Sequence, residues 1–276
     1  MARRRLDAEL VRRGLARSRE QARELIESGR VRVRGSAATK AATQVEEADA
    51  VLVVEPAEAV HYVSRGAHKL IGALDRFTGI DVAGRSCLDA GASTGGFTQV
   101  LLERGAARVL AVDVGYGQLA WPVRTDARVT VLERTNVRGL TVDQVPFRPD
   151  LLVADLSFIP LGLVIPALSI VAVDECDLVL MVKPQFEVGR ADVGDGVVRD
   201  AGLRASAVRG VAHAARTSGL GVRDVVASPL PGPSGNVEYF LWLARRGGRM
   251  GPMGAGFLSG GELDIEIDRA VREGPQ

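Results

Sequence analysis

The sequence predicts a mainly parallel, doubly wound α/β domain preceded by a small basic α+β module. Three observations lead there. Residues 1–40 carry twelve Arg and Lys against five Asp and Glu, whereas residues 41–60 carry five acids and no base. Beyond residue 63, apolar strand-like runs alternate with helix-like segments, the pattern of a sheet covered by helices on both faces. A glycine-rich turn at residues 91–96 separates the first of those runs from a helix.

The 276 residues give room for a small and a medium unit. Hydrophobic residues at 46% and charged residues at 25% match a globular average, so a sizeable core is expected. The first module is placed at 1–59, a linker at 60–63 and the second domain at 64–276.

Within the first module, residues 6–14 read as a short helix stopped by Gly14. Residues 18–28 read as a second helix. Ser18 and Gln21 make its capping box, Ala22, Leu25 and Ile26 its apolar stripe, and Gly29 its end. Val31 and Val33 then alternate with Arg32 and Arg34 before a turn at Gly35, as in a strand. A strand at 51–54 and a breaker at Pro56 close the module. Clustered cations gain free energy by releasing counterions from phosphates, so the basic head points to a polyanion. A solvated charged surface is the alternative that charge alone leaves open. The candidate contacts are Arg3, Arg4, Arg5, Arg12, Arg13, Arg17, Arg19, Arg23 and Arg32.

The spacing of Leu6-Asp7, Leu10-Val11, Gly14-Leu15-Ala16, Ser18-Arg19, Ala22, Leu25-Ile26, Gly29, Val31, Val33 and Gly35 resembles the S4 RNA-binding domain over about the first 55 residues. Arg5-Leu6-Asp7 also resembles the triplet around the catalytic aspartate of pseudouridine synthases. Here it opens the first S4 helix, so Asp7 is read as structural.

In the larger domain, strands are expected at 86–90, 108–113, 129–133, 151–155, 178–183, 222–227 and 237–244. A Gly-rich tail follows at 247–261, then a short helix near 264–272. The run Leu88-Asp89-Ala90-Gly91-Ala92-Ser93-Thr94-Gly95-Gly96-Phe97 is an apolar strand entering a glycine turn and a helix. Glycines let a ligand approach the backbone, and the helix start supplies free N–H groups. The spacing Asp-x-Gly-x-x-x-Gly-Gly is not that of dinucleotide binders. It suits S-adenosylmethionine, which has no pyrophosphate, with Asp89 placed to attract the aminium. Asp113, 24 residues on, ends the next strand, where a carboxylate can accept from two ribose hydroxyls. The expected cofactor set is Asp89, Gly91, Ser93, Thr94, Gly95, Gly96, Phe97 and Asp113. Asn136, Val137 and Arg138 are candidates for the adenine pocket. A structural turn and a surface acid are the bland alternatives.

Four polar residues fall where an open α/β sheet holds its chemistry. Asp155 and Lys183 end the fourth and fifth strands, and Glu238 opens the last. Lys69 sits on the helix before the first strand, expected off its stripe of Leu70, Ile71, Leu74 and Phe77. Only three of the 35 basic residues are lysines, Lys40, Lys69 and Lys183. A lysine kept in so Arg-biased a chain suggests a task that a guanidinium, which cannot lose its proton, would not serve. Two ordinary salt bridges are the competing reading.

In order and setting, Lys69, Asp155, Lys183 and Glu238 resemble the Lys-Asp-Lys-Glu tetrad of the FtsJ-like ribose 2′-O-methyltransferases. With residues 62–70 (YVSRGAHKL), 155–159 (DLSFI) and 183–187 (KPQFE), nearly the whole chain resembles the TlyA or hemolysin A family. Ala67 and His68 depart from the Gly and Leu expected there, with no catalytic consequence. The resemblance implies a Rossmann-like seven-stranded methyltransferase domain, its seventh strand antiparallel, behind an S4 domain. It also implies S-adenosylmethionine as cofactor and cytidine 2′-hydroxyls of 16S ribosomal RNA, 23S ribosomal RNA or both as substrate. Lys183 would orient the oxygen and lower its pKa or take its proton. Asp155 and Glu238 would hold the lysines, and Lys69 would add positive charge near the developing alkoxide.

No metal is expected, because His61, His68 and His213 lack ligand spacing. Cys87 and Cys176 form no CxxC and are expected as buried thiols. Arg and acids interrupt the first thirty residues, so no secretory signal is read there. Residues 156–173 are uncharged but broken by Pro160, Gly162 and Pro166, which favours a strand end plus a buried helix over a membrane span. The expected form is a cytoplasmic monomer bound to ribosomal RNA or subunits. A non-catalytic S4-type RNA-binding factor and a membrane-lytic hemolysin are the competing classes.

Overall fold

The structure is a computed structural model and describes residues 4–54, 61–189, 193–245 and 256–275. Arg3, Pro56 and most of the Gly-rich stretch at 247–261 lie outside the described residues. The chain divides into two compact units, Met1–His61 and Tyr62–Gln276.

In the first unit, β1 (Arg4–Arg5) leads into α1 (Leu6–Arg12), then α2 (Arg19–Glu27), β2 (Val31–Val33), β3 (Ser36–Ala37), β4 (Gln44–Val45) and β5 (Val51–Val53). Ser18 caps α2 by accepting the Gln21 N–H at 3.2 Å. The Gln21 side chain reaches one residue further back than a capping box requires, accepting from the Arg17 N–H at 2.7 Å. β2 pairs antiparallel with both β3 and β5, and β1 with β4. Leu6, Leu10, Ala22, Leu25, Ile26, Val31, Val45 and Val51 form its core.

The second unit runs α3 (Gly66–Arg76), β6 (Ser86–Ala90), α4 (Gly96–Glu103), β7 (Arg108–Val112), α5 (Trp121–Arg124), β8 (Val129–Leu132), β9 (Leu151–Ala154), α6 (Ile165–Val171), β10 (Asp177–Val182), α7 (Pro184–Glu187), α8 (Ala201–Thr217), β11 (Leu220–Ala227), β12 (Tyr239–Arg245) and α9 (Gly260–Glu273). Seven strands form one sheet in the order β11-β12-β10-β9-β6-β7-β8. β12 alone runs opposite to the other six strands. The expected strands are present, but β7, β8, β9 and β10 end one residue early and β12 starts two residues late. Asp113, Asp155 and Lys183 therefore stand just beyond the sheet, at its carboxyl edge.

The residues expected to include a buried helix, 156–173, hold a short 3-10 turn and α6. No helix among the described residues is long and apolar enough to cross a membrane.

Side-chain alternation sorts the sheet into two faces. Leu88, Ala90, Leu110, Leu152, Leu180 and Tyr239 pack with α6, α8 and α9. Cys87, Val109, Ala111, Val153, Met181 and Phe240 pack with α3 and α4. Carrying this period of two past the strand ends puts Asp113, Asp155, Lys183 and Glu238 on the α3/α4 face. That face carries Lys69.

Candidate active site

The register of β10 and β12 brings the catalytic candidates together. Val182 opposes Tyr239, so Lys183, following one strand, adjoins Glu238, preceding the other. Parallel pairing of β9 with β6 and β10 sets Asp155 between the glycine turn and Lys183.

Two ion pairs result. Lys183 Nζ lies 2.6 Å from Asp155 Oδ1 and donates to Ser157 Oγ at 3.0 Å. Lys69 Nζ donates to Glu238 Oε2 at 2.5 Å, with the carboxylate side chain only 1% exposed. Lys69 was expected beside the buried stripe of its helix; the structure buries it at 7% exposure. The stripe is Ala67, Leu70, Ala73, Leu74 and Phe77, with Ile71 only partly buried. Lys69 is tolerated in the interior because Glu238 supplies the opposite charge.

Both lysines and Asp155 line a cavity of about 400 Å³, together with Ser64, Arg65, Gly66, Gly91–Thr94, Gly96, Phe97, Ser157, Pro231 and Pro233. Glu238 is not in that lining, since it sits behind Lys69. A second cleft of about 700 Å³ shares Gly91, Ser93, Asp155 and Ser157 with the first. It extends past Asp113, Gln118, Asn136, Val137 and Arg138 to Phe158, Ile159 and Leu163.

The expected cofactor residues fall into three groups. Gly91, Ser93, Thr94, Gly96 and Phe97 line the cavities, and Phe97 also stacks on Phe240 with ring centroids 6.2 Å apart. Asp113, Asn136 and Val137 line the larger cleft. Asp113 accepts the Ser93 N–H at 2.8 Å and the Gly115 N–H at 2.7 Å, so its carboxylate is held fixed with lone pairs to spare. Ser93 pays for that contact with a φ of 48°, unusual for a residue with a side chain. Asn136 accepts from the Arg138 N–H at 3.0 Å.

Asp89 and Gly95 are the third group, and neither lines the cavities. The strand period that aims Asp113 at the cleft points Asp89 beneath α4, where it is fully buried and accepts from Thr98 Oγ1 at 2.6 Å. Its other oxygen has no hydrogen-bond partner among the described residues. Burial, aided by the nearby Asp155 and Asp113 charges, pushes its carboxyl up to about 7 against the hydrogen bonds from Thr98.

The glycines serve close packing of the turn more directly than ligand approach. Gly91 has φ 85°, and a Cβ there would stand 2.6 Å from the Asp155 carbonyl oxygen. Gly95, at φ 98°, would press its Cβ to 2.9 Å from Leu119 Cδ1, and a Cβ on Gly96 would strike Ser64 Oγ. Small residues thus let the turn sit against the end of β9.

Reading the sequence missed Ser157, Ser64, Pro231 and Pro233. Ser157 had a signal, as a lone hydroxyl two residues after Asp155 at the start of the uncharged run. The prolines, 5–7 residues before Glu238 in sequence, had none. No group of three or more His, Cys, Asp or Glu among the described residues could hold a metal.

In the amino-terminal unit, Arg4, Arg5, Arg12, Arg19 and Arg23 are half-exposed and ion-paired to the buried acids Asp7 and Glu9. Arg17 and Arg32 are exposed. Arg13 is committed elsewhere: it pairs with Glu9 at 2.7 Å and donates to the carbonyls of Glu46, Glu47 and Asp49.

Residues 62–245 match the family profile of the FtsJ-like methyltransferases, which spans the tetrad and both cavities. The chain belongs to that family. Residues 4–51 match the S4 domain, so this FtsJ-like methyltransferase carries an S4 unit ahead of its catalytic domain. It is 59% identical over 277 aligned residues, covering all of both chains, to a Mycobacterium tuberculosis protein named 16S/23S rRNA (cytidine-2′-O)-methyltransferase TlyA. Hemolysin A of Brachyspira hyodysenteriae is 36% identical over 85% of this chain and 97% of its own. A solved structure from Streptococcus thermophilus, described as a candidate hemolysin, superposes with a TM-score of 0.69. It is 34% identical and covers 99% of this chain and 97% of its own. Members of the family thus carry both methyltransferase and hemolysin names.

Proposed function

We propose that the protein transfers the methyl group of S-adenosylmethionine to the ribose 2′-hydroxyl of cytidine in ribosomal RNA, with Lys69, Asp155, Lys183 and Glu238 as its catalytic tetrad. The observation that carries this reading is the convergence of two lysine–carboxylate pairs, from four separated segments, beside one glycine turn. A ribose hydroxyl is a poor nucleophile, and the reaction needs in-line positioning and removal of one proton. The sulfonium of the cofactor supplies a methyl already activated for transfer.

The cleft has a volume suited to a nucleoside ligand. Asp113, held by two backbone N–H groups, would accept from the ribose hydroxyls, and Asn136 and Val137 would flank the base. Asp89 serves from below, keeping α4 and the turn in place through Thr98. Lys183 faces the smaller cavity between Asp155 and Ser157, where its nitrogen can hold the substrate oxygen and receive or polarise its proton. Asp155 fixes that nitrogen, and Ser157 gives it a second anchor. Lys69, neutralised from behind by Glu238, contributes a cation to the same cavity, where charge builds on the oxygen.

The S4 unit would hold the ribosomal RNA through its arginines. The test is to map 2′-O-methyl groups on 16S and 23S RNA from cells with and without the gene. Loss of one or more 2′-O-methylcytidines is expected; identical maps would refute the assignment.

A further inference from the structure

The Arg5-Leu6-Asp7 triplet is absorbed neither by catalysis nor by the general description of a basic surface. Asp7 lies in the first turn of α1 with no exposure, unusual for a carboxylate. Three guanidiniums from two separate elements converge on it. Arg5, in β1, binds it as a fork, Nε to Oδ1 at 3.1 Å and Nη2 to Oδ2 at 3.2 Å. Arg19 and Arg23, one turn apart on α2, approach at 3.8 and 3.9 Å, as ion pairs too long for hydrogen bonds. The side chains of all three arginines remain 45–57% exposed.

Glu9, two residues on, also gathers arginines but to a different end. Its carboxylate takes a fork from Arg12 and a bond from Arg13, and Arg13 spends its remaining donors on backbone carbonyls. That cluster fastens α1 to residues 46–49. The Asp7 cluster fastens less and displays more, since Arg19 and Arg23 keep donors turned to solvent.

We propose that Asp7 is a positioning residue for RNA recognition: it sets Arg5, Arg19 and Arg23 at fixed spacing as a phosphate-binding face, while Arg13 is structural. The inference rests on the reading of the amino-terminal unit as an RNA-binding S4 domain. One buried negative charge shared by three cations leaves the face net positive. It also restricts side chains that otherwise lose much rotamer freedom on binding. Guanidiniums gathered around one buried charge suit the phosphates of a folded RNA, whereas dispersed cations suit any polyanion. The Asp7 carboxyl is held below its ordinary range, chiefly by the Arg5 fork, so the negative centre persists through mildly acidic conditions.

The experiment uses the full chain and its Asp7→Asn, Arg13→Ala, Arg19→Ala and Arg23→Ala variants. Binding is measured at one salt concentration to isolated 30S and 50S ribosomal subunits and, separately, to polyuridylate. Asn keeps the oxygen that accepts the Ala8 N–H, at 2.9 Å in the native chain, but loses the charge. Asp7→Asn is expected to weaken subunit binding about tenfold, through lost pre-organisation. Polyuridylate binding should hold or tighten, because the variant carries one more net positive charge. In an Arg23→Ala background, Asp7→Asn should cost distinctly less than it does alone, a coupling that a merely structural role would not give.

Tighter binding of Asp7→Asn to both probes would overturn the proposal and leave a diffuse cationic surface. If Arg19→Ala and Arg23→Ala bind subunits as the native chain does, the S4 RNA face itself falls, and the Asp7 role with it. If they weaken binding while Asp7→Asn does not, only the Asp7 role falls. Should Asp7→Asn melt early, Asp7→Ser carries the same comparison, scored against Arg13→Ala as the variant that loses stability without selective loss of subunit binding.

Discussion

Replacing Glu238 by alanine separates the structural from the chemical work of the tetrad. The Glu238 side chain is 1% exposed and that of Lys69 9%, with 2.5 Å between nitrogen and oxygen, so solvent screens the pair little. Removing the carboxylate strands a buried ammonium, a change that costs about 3–5 kcal/mol. In a domain of this size each kcal/mol lowers the melting temperature by roughly 2–4 °C, so the expected fall is about 6–20 °C. The Lys183–Asp155 pair differs, with Asp155 25% exposed and Lys183 backed by Ser157. Lys183→Ala should cost less than Glu238→Ala, because the carboxylate it leaves behind is a quarter exposed and can be solvated. Thermal melts of the two variants and of a Lys69→Met/Glu238→Leu double variant supply the comparison. The double variant should recover most of the lost stability while remaining inactive. A Glu238→Ala variant melting within a degree or two of the native protein would refute the buried-pair reasoning.

Gly91→Ala should impair both cofactor binding and stability, since φ 85° strains alanine and its Cβ would meet the Asp155 carbonyl at 2.6 Å; calorimetric titration with S-adenosylmethionine and a melt check this. Burial raises Asp89 to about 7, so the folded state holds this proton more tightly than the unfolded chain does. Its contribution to stability is present below about pH 4 and is lost as pH climbs through 7. Melts of the cofactor-free protein from pH 4 to 8 should therefore show the native chain losing ground to Asp89→Asn as pH rises; a constant difference would contradict this. Glu187 accepts the Leu161 N–H at 2.8 Å and so ties the 156–163 wall of the larger cleft to α7. Glu187→Ala should raise the KM for S-adenosylmethionine severalfold with a smaller change in kcat, and Glu187→Gln, which keeps an acceptor, should restore it.

Much of this site was legible in the sequence because strand ends carry their own signature. An apolar run that stops at a charged residue marks both the strand and its functional edge, and Asp113, Asp155 and Lys183 each obeyed that rule. Glu238 required one further fact, the reversed direction of β12, which came from resemblance. Two placements differ from the expectation, each for its own reason. Asp89 stands one residue before the strand end, so its side chain points under α4 and not into the cleft. Lys69 was set outside its helix's apolar stripe because a lone lysine looks exposed until its partner 169 residues away is known. The arginines near Asp7 and Glu9 show the same limit: sequence gives their charge, but only the fold tells which are anchored and which are displayed.

The central claim is that Lys183 acts on the substrate oxygen and not in holding the cofactor. The direct measurement combines single-turnover transfer of labelled methyl groups to ribosomal subunits with calorimetric titration of S-adenosylmethionine, on the native protein and Lys183→Ala. The account predicts label in ribose 2′-O-methylcytidine from the native protein, none from the variant, and cofactor affinities equal within a few-fold. Substantial transfer by Lys183→Ala, or loss of its cofactor binding in a chain that still folds, would contradict it.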